Sequence, residues 1–129
     1  MSEYVIDAYA WVEYLMGSRA GEKVRAVFEE EDSEICTCAV TVAEVVSKAA
    51  REGQNVAVAY DIIVNNSQVV NVDEAVSKEA GLLHAEMRKT KKDFGLADAF
   101  VLAIARRLKS KALTGDPHFE GVKEAILIR

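Results

Sequence analysis

The 129-residue chain contains one proline, seven glycines, two cysteines and no long apolar run. Each scarcity excludes something. So few prolines and glycines argue against disorder and against a turn-rich β-sandwich. Cys36 and Cys38, the only cysteines, stand one residue apart. That spacing excludes a disulfide framework and fits a reducing, cytoplasmic compartment. The longest apolar run, Ala99 to Ala105, falls far short of the ~20 residues a membrane span needs. The opening MSEYVIDAYAWVEYLMG has no basic start and places Asp7 and Glu13 where a signal peptide would be apolar, so no targeting segment is expected. No glycine-rich phosphate loop occurs either. What is present is a chain 50% hydrophobic and 29% charged. It is expected to form one globular domain over residues 1–129 that buries roughly two-thirds of its unfolded surface.

Sixteen basic against twenty-one acidic residues give a net charge of −5. Taken whole, that opposes non-specific nucleic-acid binding. If four of the acids form one cation site, however, the rest of the surface is nearly neutral, and bulk charge decides nothing about nucleic acid.

Apolar spacing alternates between two periods along the chain. Tyr4-Val5-Ile6 reads as a strand ended by Asp7. Ala8 to Met16 and Arg19 to Glu30 read as helices separated by Gly17-Ser18. Ser33 to Ala39 alternates like a strand, and Thr41 to Glu52 reads as a helix closed by Gly53. Asn55 to Asn65 is ambiguous: its β-branched residues favour strand, while Val58, Ile62 and Ile63 have helical spacing. Gln68 to Val72 reads as strand, Asp73 to Lys89 and Leu96 to Leu108 as helices, and Lys111 to Thr114 and Ala125 to Ile128 as strands. This alternation predicts an α/β fold: an open, mainly parallel, doubly wound sheet with helices on both faces.

In such a sheet, ligands bind at the carboxyl ends of the strands, where the helices that follow begin. Asp7 ends the first strand. Glu44 and Asp98 fall in the first turns of their helices, and Asp116 follows the strand Lys111 to Thr114. Each acid has an ordinary structural role open to it. Asp7 is a candidate N-cap, Thr41-Val42-Ala43-Glu44 matches a capping box, Asp98 suits a helix dipole, and Asp116 before Pro117 suits an N-cap with proline at N1. Four carboxylates on one edge repel one another unless a cation lies among them, and the helix N-termini are expected to help keep them ionised. Oxygen donors alone point to Mg²⁺ or Mn²⁺ rather than zinc. Such ions polarise phosphoryl oxygens, acidify water and stabilise the leaving oxygen, so the chemistry expected is phosphodiester hydrolysis.

Rival constellations fit less well. A haloacid-dehalogenase-type phosphatase needs a second acid two residues after the first, where Tyr9 stands. A phospho-receiver domain needs paired acids that are absent here. Cys36 and Cys38 read as core thiols without histidine partners. Trp11, Phe28, Phe94 and Phe100 read as core or interface residues, and His84 as a helical residue. His118, two residues past Asp116, is a candidate contact to substrate phosphate. Lys89, Lys91 and Lys92 form a basic run that suits a helix C-terminus or, alternatively, phosphate contacts.

Four stretches, VIDAYAW, TVAEV, LADAFVLAIA and LTGDPHF, together resemble the PIN domain, and most of all its small stand-alone VapC-type toxins. The resemblance covers the chain in order. It implies a ribonuclease whose acidic quartet, Asp7, Glu44, Asp98 and Asp116, binds one or two Mg²⁺ or Mn²⁺ ions. Asp7, Glu44 and Asp98 would hold the first ion, with Asp116 acting through water or at a second. It also implies a homodimer, an RNA substrate and a small antitoxin protein that blocks the site. The chain departs from the family at Ala8, where Thr or Ser often follows the first acid. Thr114 is then the candidate source of the hydroxyl.

Overall fold

Strand β1 (Ser2–Ile6) lies at the middle of a five-stranded parallel sheet in the computed structural model, which describes residues 2–128. It pairs with β2 (Ser33–Cys38) on one side and β4 (Lys111–Thr114) on the other. Outside these run β3 (Gln68–Val70) and β5 (Ala125–Leu127), giving the order β3-β2-β1-β4-β5. Val5 sits opposite both Cys36 and Ala112, and Ile6 opposite Leu113. The chain therefore builds outward from β1 to β3, returns across the sheet, and adds β4 and β5 on the other side. The direction reverses between β1 and β4, which makes the crevice beyond their carboxyl ends the expected ligand site of an open α/β sheet.

A central parallel strand is buried on both faces, and β1 shows it. Tyr4 and Ile6 point into one layer with Trp11, Val24, Val45 and Ile63. That layer belongs to α1 (Ala8–Met16), α2 (Arg19–Phe28), α3 (Ala39–Arg51) and α4 (Val56–Asn66). Val5 points into the other layer, with Cys36, Cys38 and residues of α5 (Glu74–Met87) and α6 (Leu96–Arg107). Both cysteines are buried free thiols, as their strand alternation predicts. α6 buries Ala99 and the whole run Val101 to Ala105, which explains why its sequence is apolar nearly all round. α1 ends at Gly17, whose φ of 67° is left-handed. α2 can then pack closely because a Cβ at Gly21 would collide with the Glu13 carbonyl.

Two local expectations are corrected and one ambiguity is resolved. Helix α3 starts at Ala39, two residues before the predicted start, with Cys38 as an N-cap that makes no side-chain hydrogen bond. Thr41 is fully buried within the first turn and its hydroxyl has no hydrogen-bond partner. There is thus no capping box, and Glu44 sits in the second turn. Strand-to-helix passage without a loop has carried Thr41 into the core, and tertiary packing outweighs the local capping signal. Residues 55–65 are helical: the Asn55 side chain accepts from Val58 N at 3.1 Å, and Ala59 and Ile63 face inward. Val58, one of the residues whose spacing suggested the helix, is half exposed. Strand β3 stops at Val70, and α5 runs from Glu74 to Met87 with Asp73 as its N-cap.

Candidate active site

The carboxyl ends of β1 and β4 deliver Asp7 and Thr114 side by side. Asp7 is 3% exposed and caps α1, its Oδ1 accepting from Ala10 N at 2.9 Å. Its Oδ2 accepts from the Thr114 hydroxyl at 2.5 Å. Thr114 is fully buried, and its Oγ1 accepts in turn from Asp116 N at 3.0 Å. Asp116 caps the single 3-10 turn Pro117–Phe119, with Oδ1 accepting from His118 N at 2.8 Å and Pro117 at the first position. Asp98, in the first turn of α6, accepts from Gly95 N at 3.0 Å through Oδ2.

The ordinary capping roles of these three aspartates are therefore real, and each consumes only part of a carboxylate. Asp98 and Asp116 side chains stay 19% and 23% exposed. Glu44, on α3, lies within electrostatic reach of Asp98 and Asp116 and is the most exposed of the four. It borders a cleft of about 760 Å³ between α1 and α3, lined also by Tyr9, Val12, Met16, Ala43 and Lys48.

The charges of Asp98 and Asp116 act on both Asp7 and Glu44. Burial pushes the Asp7 carboxyl up to about 7; the charges of Asp98 and Asp116 add to this, and the bonds from Thr114 and Ala10 pull it back. Asp98 is raised, chiefly by burial and then by Asp116, against the opposing Gly95 N–H and His118. Glu44 is raised by burial and by the charges of Asp98 and Asp116. At Asp7 and Asp98, burial outweighs the helix N-terminus, and both carboxyls are raised rather than lowered. Among the described residues, no lysine or arginine pairs with any of the four. The only titratable partner is His118, with Nδ1 3.0 Å from Asp116 Oδ1 and 3.7 Å from Asp98 Oδ2.

Donor atoms of Asp98, Asp116 and His118 all lie within 4.8 Å of one another. A divalent cation fits this donor set: two carboxylates and an imidazole nitrogen close together, with no lysine or arginine among the described residues paired to them.

Residues 4–125 match the PIN domain family. The chain belongs to that family. The structure of this PIN chain is similar to Mycobacterium tuberculosis VapC20, a sarcin-ricin loop cleaving toxin, at TM-score 0.76 and 15% identity over 94% of this chain and 95% of that one. It is similar to a chain of DNA-bound VapBC from Salmonella typhimurium, at TM-score 0.74 and 17% identity over the full length of both. A toxin–antitoxin complex from Klebsiella pneumoniae gives TM-score 0.73 and 16% identity over 98% of each chain. At these identities the likeness shows the fold. No curated protein matches the sequence. No helix is long and apolar enough to cross a membrane among the described residues.

The basic run lies after α5, in the segment leading to α6. Lys89 is exposed and pairs with Glu86 at 2.9 Å, and Lys91 Nζ donates to the Glu120 carbonyl at 2.6 Å. Lys92 is exposed. Phe94, just beyond, is buried against Phe119 with ring centroids 5.6 Å apart, which anchors the 3-10 turn carrying His118.

Two features of this PIN site are not read from the sequence. The Tyr9 ring packs on Gly115 so closely that a Cβ there would collide with it. His118 also brings a nitrogen into a donor set expected to be oxygen alone. The clue to the first was a glycine directly after a strand; the second depends on the ring's direction, which spacing does not encode.

Proposed function

We propose that this PIN protein is an endoribonuclease that hydrolyses RNA phosphodiester bonds with Mg²⁺ or Mn²⁺. In this reading it is the toxin of a toxin–antitoxin pair, a homodimer whose site a small antitoxin protein blocks. The observation that supports the reading is the electrostatic coupling of Asp98 and Asp116 to both Asp7 and Glu44 in a PIN fold, with no lysine or arginine among the described residues paired to them. A bound divalent ion supplies charge stabilisation at the phosphoryl and leaving oxygens. Asp7, Glu44, Asp98 and Asp116 would hold it, with Asp98 and Asp116 offering the most closely grouped carboxylate donors. Thr114 keeps the Asp7 carboxylate in one orientation. The toxins and toxin–antitoxin complexes among the structural relatives support the partner and the substrate class.

The alternative is a non-catalytic PIN-like module that binds RNA or protein, suggested by Ala8 where Thr or Ser often stands; the Thr114 hydroxyl on Asp7 supports the catalytic reading instead. The test is incubation of the purified protein with mixed RNA in Mn²⁺, in Mg²⁺ or in chelator. Cleavage confined to the metal-containing reactions is expected; intact RNA in all three contradicts the nuclease reading. Where a small open reading frame lies directly upstream of the gene, co-expression with it tests the partner. A stable complex that suppresses cleavage is expected, and two proteins that purify separately contradict the toxin role.

A further inference from the structure

We propose that His118 is a nitrogen ligand of the metal site, coordinating through Nδ1 together with Asp98 and Asp116, so that the site prefers Mn²⁺ or a later transition metal over Mg²⁺. The inference rests on the metal-dependent reading above and deepens it.

The geometry has three parts. First, Nδ1 is sealed from water and has no hydrogen-bond partner, although it lies 3.0 Å from Asp116 Oδ1. A ring placed there to donate a proton would point its N–H along that line, and this one does not. A buried nitrogen without a partner is unfavourable unless something else meets it. Second, the spacing suits an ion. Donors at right angles around a cation at ~2.1 Å lie about 3.0 Å apart, as Nδ1 and Asp116 Oδ1 do. Asp98 Oδ2, at 3.7 Å from Nδ1, completes a face of three donors.

Third, the backbone that aims the ring is fixed at both ends. Thr114 holds Asp116 N, Asp116 holds His118 N, and Phe119 is buried against Phe94. A ligand on so constrained a turn is organised before the ion arrives. Its chemistry sets the preference, because imidazole suits first-row transition metals, whereas Mg²⁺ prefers oxygen.

The experiment loads the full chain with one equivalent of Mn²⁺ and records electron spin-echo modulation, with natural-abundance and with ¹⁵N-labelled histidine. Nitrogen modulation that changes with the histidine label is expected. It should disappear in His118→Ala and persist in His84→Gln, the control for the other histidine. By titration, His118→Ala should lose about tenfold or more in Mn²⁺ affinity and much less in Mg²⁺ affinity. Bound Mn²⁺ with no histidine modulation in the unmodified chain overturns the proposal and leaves the metal-dependent nuclease intact. That measurement does not depend on the variant folding. Failure to bind Mn²⁺ at all overturns both.

Discussion

The Thr114 hydroxyl donates to Asp7 Oδ2 at 2.5 Å across 107 positions of chain, and the same oxygen accepts from Asp116 N at 3.0 Å. One buried side chain thus ties the ends of the two strands that flank the topological switch and sets two of the four acids relative to each other. The hydroxyl is both donor and acceptor, so no apolar residue of the same shape replaces it.

Thr114→Val keeps the shape, removes both bonds and leaves Asp116 N without its partner. It should lower stability by about 1–3 kcal/mol and RNA cleavage by about tenfold or more. Thr114→Ser should recover most of both. Thermal melts and cleavage rates of the three proteins check this; a valine variant as stable and active as wild type would show that the bridge is incidental.

Asp7 gives the metal-free protein a pH dependence of definite sign. Its folded pKa of about 7 exceeds the ordinary aspartate value of 3.8, so between the two the folded state holds a proton that the unfolded chain has released. Stability is fully present below the lower value and is lost as pH rises through the upper one. In chelator the protein should melt higher near pH 5 than near pH 8. Asp7→Asn should flatten that slope and melt above wild type at the alkaline end, while gaining less from added Mg²⁺. A slope of the opposite sign, or one that the substitution leaves undiminished, contradicts the assignment.

A Cβ at Gly115 has to displace the Tyr9 ring. Gly115→Ala should therefore cost about 1–3 kcal/mol through overpacking, and adding Tyr9→Ala should relieve part of that loss. A double-mutant cycle read by denaturant unfolding measures the coupling. Additive effects would mean that the ring moves away freely.

The lysines of the basic run separate into two roles. Lys91 is spent on the Glu120 carbonyl, so Lys91→Gln should lower the melting temperature. Lys89 and Lys92 are exposed, and replacing each with Gln should reduce the log–log salt slope of single-stranded RNA binding by about 0.7 per residue. An unchanged slope leaves them as solvated charges at a helix end.

Much of this was legible in the sequence, for reasons that are local. β1, α1, β4 and the turn at Asp116 are short segments whose apolar period and cap residues agree, and the positions of Asp7 and Asp116 follow from where those segments end. Legibility failed where tertiary contact overrides a local signal. Thr41 carries a good capping pattern but is pulled into the core, which advances the start of α3 and moves Glu44 into the second turn. In residues 55–65 the β-branched side chains compete with a helical period, and packing of Ala59 and Ile63 decides it. The Asp7–Thr114 bond and the direction of the His118 ring depend on side-chain rotamers brought together by the sheet. Composition and spacing carry no record of those.

The central claim is that the acids at the β1–β4 crevice cut RNA. The most direct test is sequencing of RNA ends produced by wild type and by Asp98→Asn, each in Mn²⁺ and in chelator. Asp98→Asn removes one charge from the cluster and keeps a side-chain oxygen able to accept from Gly95 N, so the fold should survive by circular dichroism. Wild type should yield discrete new ends only with metal, and the variant should yield at least about 100-fold fewer, equivalent to about 2.7 kcal/mol of transition-state stabilisation. The same ends at the same yield from a folded Asp98→Asn protein would contradict the account.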